Sequence, residues 1–512
     1  MGFEITKVIK GFVSDLSLRE RLCLRLIYKF QINEKFFKFW PLIILISLGF
    51  FTRFWRLYYP PNVVFDETHF GLYATKYLSG QYYFDIHPPL GKMLYALIAF
   101  LVGIKPGFCF EENSAYGEFN YLALRMLPAF IGVLFILSIY FFCQEIGFSS
   151  RVAFLASFLL LFENALVVES RLILLNVFLL FFIFSGLFLF LVAQKCVSFS
   201  KKWYFLNTLC GFCLGAASSI KWSGWGTVLL VLFLAFFRKE LTRKEIFLKL
   251  GFFLLIPLLT YFLVFYFHFK LLPLSCTQNC GWVLDKILET HPDYTFFTQP
   301  PKFSSFLGKF FDNHLWMIGS NFSFFRSYSY AFHFSYWPLM IRPIPYFFEK
   351  TSESKTSYIY LIGNPLVWWL GTFGIVCYFS LLLFQKIFKK EILDLSRNFP
   401  KILIFGYFVF WLPFALVKRF LLLYLYFPAL VFSIIIFSEL LDRFLRSKFS
   451  EFHNNKQIFY RNKKANLILL VVLLLVVIGF LFFSPLTYGL PLTEKQFNAR
   501  MWGSVLWEPI SS

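Results

Sequence analysis

Asp66 and Glu67 stand side by side just beyond the first long apolar run, in the stretch Arg53-Phe-Trp-Arg-Leu-Tyr-Tyr-Pro-Pro-Asn-Val-Val-Phe-Asp66-Glu67-Thr-His69. Two carboxylates at a membrane surface, flanked by aromatics and a histidine, suit chemistry between a lipid-borne group and a polar acceptor. Glycosyl or acyl transfer to a hydroxyl needs a base to take the hydroxyl proton. A carboxylate in a partly dry pocket can supply it, because desolvation raises its basicity. The same transfer needs cations or other donors to hold a leaving phosphate. Asp66 or Glu67 is the candidate base, and Arg53, Arg56, Arg171, Lys221 and Arg419 are candidates for the phosphate. The competing readings are structural: the acidic pair as a solvated loop tip, and Arg53 and Arg56 as side chains snorkelling to the headgroups.

The elements that must position these residues are membrane helices. The chain has 512 residues, 58% of them hydrophobic and only 15% charged. Repeated runs near the ~20 residues that cross a bilayer predict an all-α polytopic membrane protein. Eleven spans are expected, at 41–59, 121–143, 151–167, 172–193, 204–219, 225–237, 247–268, 361–385, 402–416, 421–440 and 466–484. Leu90–Val102 is too short to span, follows Pro88-Pro89 and contains Lys92, so it reads as an interfacial or re-entrant helix. With the N-terminus inside, the cytoplasmic segments carry 28 of the 49 lysines and arginines. The positive-inside rule then puts the C-terminus outside. The net charge of +21 is read as these loops and as contact with membrane lipids, not as a nucleic-acid site. Residues 1–40 are too charged for a cleavable signal peptide.

This topology gathers Asp66-Glu67, Glu169-Ser170-Arg171, Lys221-Trp222, Lys418-Arg419 and the long loop 269–360 on the outer face. Ionisable groups beside spans are functional candidates. Within the first outer loop, residues 60–120, a helix is expected over Thr68–Ser79 with Thr68 as its cap and Gly80 as its stop. His87 and Lys92 then fall near the start of the interfacial helix, at headgroup level. Cys276 and Cys280 carry weak spacing evidence for a disulfide. His291, Asp293, His314 and His333 lack metal-ligand spacing, so no metal is expected. Trp368-Trp369 reads as an interface belt. No Walker pattern occurs, so any energy comes from an activated lipid donor rather than a cofactor.

The run TRFWRLYYPPNVVFDETHFGLYATKYLSGQYYFDIHPPLGKMLYAL (52–97) resembles the first outer loop of protein O-mannosyltransferases. The resemblance continues in ESRLILLN (169–176), SIKWSGWG (219–226), YWPLMIRPIPYFFE (336–349), IYLIGNPLVWW (359–369), KRFLLLYLYFPAL (418–430) and PLTYGLPL (485–492). It implies a GT-C glycosyltransferase fold and inverting transfer of mannose from polyprenyl-phosphate-mannose to Ser/Thr hydroxyls of a polypeptide acceptor. By position it makes Asp66 the general base and Glu67 its assistant in positioning substrate. It makes Arg171 a donor-phosphate residue, with His87 structural or donor-side; Lys92, Lys221, Arg342 and Arg419 complete the candidate substrate site. The departures are Asn176 where the family often has Asp, Leu425 where it commonly has His, and Ser327-Tyr328-Ser329 near the place of a usual His-Pro-Tyr. Loop 269–360 is too short for the appended MIR domain of eukaryotic members, which resembles bacterial members and implies a multi-pass cell (inner) membrane protein with its site on the outer or periplasmic face.

The expected organisation is a basic cytoplasmic segment 1–40, a membrane module 41–268 with the catalytic loop 60–120, the outer loop 269–360, C-terminal helices 361–484 and an outer tail 485–512. Two other readings stand beside it. One is a GT-C enzyme with another lipid-linked sugar or a lipid or glycan acceptor. The other is a transporter, against which the chain shows no matched halves with broken helices.

Overall fold

The protein is described from a computed structural model. It describes residues 34–237, 242–274, 305–322, 333–389, 400–417, 421–449, 451–453, 456–458 and 463–502. Within the N-terminal module α1 covers Glu34–Phe54, α2 Glu67–Ser79, α3 Leu90–Leu101, α4 Tyr121–Ile146, α5 Ser150–Leu161 and α6 Asn164–Glu169. It continues with α7 Asn176–Gln194, α8 Lys201–Ile220, α9 Trp225–Phe236, α10 Arg243–Leu250 and α11 Ile256–Leu271, the last two joined by a π-helical turn at Gly251–Leu255. Then come α12 Phe306–Phe322, β1 Ile344–Ser352, β2 Lys355–Leu361, α13 Pro365–Phe388, α14 Lys401–Trp411 and α15 Phe427–Phe449. A hairpin of β3 Glu451–His453 and β4 Lys456–Ile458 precedes α16 Lys463–Tyr488 and the short β5 Pro491–Leu492.

Among the described residues, six helical segments are long and apolar enough to cross a membrane: Tyr121–Ile146, Asn176–Gln194, Arg243–Leu271, Pro365–Phe388, Leu423–Lys448 and Lys464–Tyr488. Their outward faces are apolar. On α16, Leu467, Leu474 and Leu481 recur every seventh residue and stay more than half exposed, as a lipid-facing stripe requires. The expected span 41–59 ends earlier in the structure, since α1 stops at Phe54 and the chain turns through Arg56 at φ 56°. The expected span 151–167 is broken: α5 stops at Leu161, and the Glu163 carboxylate caps α6 by accepting the Leu166 N–H at 2.7 Å. The expected span 361–385 begins later, because Lys355–Leu361 is a strand and Asn364 caps the helix that Pro365 opens.

Among the helices, α7 lies against α4 and α8, α8 against α11, and α15 against α13, α14 and α5. Gly211 lets α8 approach the π-helical turn so closely that a Cβ there would sit 2.3 Å from the Phe252 carbonyl oxygen. Sequence reading expected only helices, yet β1, β2 and β5 form a three-stranded antiparallel sheet, with Phe348 opposite Tyr358 and Thr356 opposite Leu492. Residues 1–33, Cys276, Cys280, His291, Asp293, Ser327-Tyr328-Ser329, Lys418, Arg419 and residues 503–512 lie outside the described residues.

Candidate active site

Asp66 occupies the turn that opens α2. The expected cap, Thr68, lies inside the helix; the N-cap position belongs to Asp66, whose side chain makes no capping bond and is left for other work. The expected stop is present, with Gly80 left-handed at φ 69°. The residue before Asp66, Phe65, holds φ 49°, an uncommon state for a bulky residue. Its ring stacks on Tyr346 with centroids 4.1 Å apart, which ties the turn to β1.

The two adjacent acids are not equivalent. Glu67 is fully buried, with Arg125 donating from Nε at 2.8 Å and from Nη2 at 2.6 Å. It also accepts from Tyr116 Oη at 3.1 Å and from the N–H groups of Val64 and Ile173 at 3.0 and 2.9 Å. Arg125 in turn donates to the Pro60 and Asn62 carbonyls. The expectation that Glu67 positions substrate is therefore corrected: its oxygens are spent inside the fold, and it positions the Asp66 turn. Asp66 is half-buried. Burial pushes its carboxyl above the ordinary value, opposed by His69 and Lys221 and reinforced by Asp85 and Glu112.

Of the candidate cations, Lys221 stays at the cavity. A space of about 470 Å³ is lined by His87, Lys221, Trp222, Trp225, Phe410 and Phe414, among others. Leu425 lines it too, and a smaller pocket is lined by Lys221 and Leu425 together with Asn176 and Tyr424, among others. Lys221 Nζ donates to Asn176 Oδ1 at 2.8 Å and lies 4.7 Å from the centre of the Tyr424 ring. Asn176 donates its amide to Glu169 Oε2 at 2.9 Å, and Tyr346 Oη donates to Glu169 Oε1 at 2.7 Å. A buried line thus runs from Lys221 through Asn176 and Glu169 to Tyr346, the residue against which Phe65 stacks.

Two expected phosphate residues are used elsewhere. Arg171 donates to the carbonyls of Arg53, Trp55 and Arg56 and lies over the Tyr488 ring. It fastens the C-terminal end of α1, whose last carbonyls have no helical partner. Lys92 is buried, ion-pairs with Asp85 and donates to the His87 carbonyl at 2.6 Å, so it shapes the Asp85–His87 segment instead of binding substrate. Arg342 adopts φ 62° just before β1. Arg53 does not snorkel: it is buried and donates to Thr52 Oγ1 and the Leu161 carbonyl, while Arg56 covers the Tyr59 ring at 4.1 Å.

His314 and His333 are hydrogen-bonded locally, to Tyr261 and Phe310 and to Ser335. Trp368 corrects the interface-belt reading, since it is fully buried and donates to the Trp337 carbonyl at 2.7 Å; Trp369 remains exposed. Sequence reasoning missed Arg125, although a lone arginine inside an apolar run was the signal. It also missed Tyr346, which nothing but the fold brings to Asp66.

This is the fold of GT-C membrane glycosyltransferases. The structure aligns with the Saccharomyces cerevisiae protein O-mannosyltransferase Pmt1-Pmt2 complex bound to the sugar donor, with a TM-score of 0.75 at 21% identity over 91% of this chain and 92% of that one. The archaeal oligosaccharyltransferase AglB from Archaeoglobus fulgidus aligns with a TM-score of 0.52 at 15% identity, covering 91% of this chain and 58% of that one. In sequence, the family described as dolichyl-phosphate-mannose-protein mannosyltransferase matches residues 43–273, and the C-terminal four-helix region of protein O-mannosyltransferases matches residues 306–505. The chain belongs to the protein O-mannosyltransferase family. Dolichyl-phosphate-mannose–protein mannosyltransferase 1 of Candida albicans is 34% identical over 46% of this chain and 28% of its own length. The Saccharomyces cerevisiae protein of the same name is 36% identical over 46% and 30%. The chain thus spans less than a third of the length of these two relatives.

Proposed function

We propose that this protein transfers mannose, with inversion, from a polyprenyl-phosphate-mannose lipid to Ser or Thr hydroxyls of polypeptides on the outer face of the cell membrane. Asp66 takes the proton of the acceptor hydroxyl. The hydroxyl oxygen bonds to the sugar's anomeric carbon from the face opposite the phosphate. The bond between that carbon and the phosphate oxygen breaks, its electron pair stays on the phosphate, and polyprenyl phosphate leaves. Lys221, with His87 beside it, takes up the charge that develops there.

The observation that carries this reading is the pairing of a half-buried, unspent carboxylate at Asp66 with an apolar cavity whose polar wall holds Lys221. Trp222, Trp225, Leu229, Val409 and Phe414 suit a prenyl tail, and the lysine suits its phosphate. The family and the relatives' names support mannose as the sugar and protein as the acceptor. The orientation with the N-terminus inside rests on the distribution of lysine and arginine.

The test is transfer by purified protein to a Ser/Thr-rich peptide from a panel of polyprenyl-phosphate sugars, read by mass and by the anomeric configuration of the product. Mannosylated peptide of the anomer opposite to the donor is expected. Transfer of another sugar alone, transfer only to a lipid or glycan acceptor, or a product of retained configuration contradicts the proposal.

A further inference from the structure

Tyr346 is the extra residue of a β-bulge. Along β1, Pro345 lies opposite Tyr360 and Phe347 opposite Ile359, which are consecutive in β2, so Tyr346 has no place in the ladder. A bulge bends its strand and re-aims a side chain. The side chain aimed here is buried, at 2% exposure, and both of its ends are engaged. The hydroxyl donates to Glu169 Oε1 at 2.7 Å. The ring lies nearly parallel to that of Phe65, at 11°, with centroids 4.1 Å apart. Phe65 holds φ 49°. A bulky residue keeps such a state where its surroundings impose it. The residue on the other side of Asp66 is held independently, since the Glu67 carboxylate accepts the N–H groups of Val64 and Ile173. The turn is thus gripped on both sides of Asp66.

We infer that Tyr346 is a positioning residue for the transfer step: from the bulge in β1 it holds Phe65 in its left-handed state and so fixes where the Asp66 carboxylate stands. Asp66 makes no capping bond within α2, so the backbone of the turn sets its place. Glu169, which also accepts from Asn176 at 2.9 Å, anchors the tyrosine ring from its hydroxyl end. A base must lie within hydrogen-bond reach of the proton it takes. A misplacement of about 1 Å costs about a hundredfold in rate. This inference rests on the functional reading above, which assigns the proton to Asp66.

The discriminating pair is Tyr346→Leu, which removes the stacked ring, and Tyr346→Phe, which keeps it and loses the hydroxyl. The measurement is single-turnover mannosyl transfer on folded protein, beside KM for donor and for peptide. Tyr346→Leu is expected to lower the transfer rate by about tenfold to a hundredfold with both KM values little changed. Tyr346→Phe is expected to retain most of the rate. Phe65→Gly removes the stack from the other side and is also expected to slow transfer. Because both changes remove one contact, Tyr346→Leu adds little in the Phe65→Gly background. Should Tyr346→Leu fail to fold, Phe65→Gly alone carries the test. An unaltered transfer rate in either ring-removing variant overturns the inference. So do equal losses in Tyr346→Phe and Tyr346→Leu, which trace the defect to the Glu169 bond, and independent, multiplying losses in the double variant. The functional reading fails separately, through transfer that survives Asp66→Asn or is absent from the unaltered protein.

Discussion

Asp66 and Glu67 are neighbours in sequence with opposite surroundings. Glu67 is enclosed by Arg125, Tyr116 and two backbone N–H groups, while Asp66 is half-buried within the electrostatic reach of Lys221. The sequence made both acids candidates, and the resemblance favoured Asp66. What separates them physically is the arginine 58 residues away, visible in sequence only as a charge inside an apolar run. Removing one partner of a buried pair leaves the other charge uncompensated, at a cost of about 3–5 kcal/mol. Arg125→Met is therefore expected to lower the thermal unfolding temperature in detergent sharply, and Glu67→Gln in that background to restore part of the loss. A second expectation concerns pH. The base must be ionised to accept a proton, and burial raises the pKa of Asp66. Transfer should rise with pH through a midpoint above the ordinary carboxylate range and flatten beyond it. A profile governed by a group at or below the ordinary aspartate value would contradict the burial of Asp66.

At the scale of elements, the helices were largely legible because apolar runs and their caps are local signals. Ser149, Ser200 and Asn364 each accept the N–H groups at the start of their helices, and Gly80 and Gly147 end theirs in the left-handed state. The break between α5 and α6 was not legible, because its cause is long-range. Glu163 accepts the Asn364 N–H at 2.8 Å, and the Asn364 side chain donates to the Phe162 and Val476 carbonyls. One asparagine thus joins the break in the early helices to α13 and α16. The same distance in sequence hid Tyr346, which reaches Glu169 only because β1 and β2 return the chain over the site. Asn364→Ala orphans carbonyls that are buried in the fold. It is expected to destabilise the protein by about 1–3 kcal/mol, measured by thermal unfolding.

At the scale of the whole molecule, the acid turn at Asp66 feels the charge of Lys221, which lines a cavity walled by α9, α14 and the turn before α9. Composition and charge distribution predicted the membrane class. They did not predict the cavity, whose walls come from residues 86–87, 221–229, 321, 409–417 and 425. Nor did they reveal that Arg171 and Lys92 are engaged in holding the backbone and a neighbouring acid. If the apolar wall seats a prenyl chain, Leu229→Trp narrows that seat without touching Asp66 or Lys221. Its effect is expected in donor KM, larger for long-chain than for short-chain donors, in a chain-length series of polyprenyl-phosphate-mannose. Equal effects on every chain length would move the tail elsewhere.

The central claim is that Asp66 is the base, and Asp66→Asn tests it most directly because it keeps the shape and removes the negative charge. The measurement is single-turnover transfer from polyprenyl-phosphate-mannose to a Ser/Thr peptide, beside donor binding and thermal unfolding of the same preparation. Intact folding and donor binding are expected, with the transfer rate reduced by about a hundredfold to ten-thousandfold. A transfer rate within about twofold of the unaltered protein, on the same folded and donor-bound variant, would contradict it.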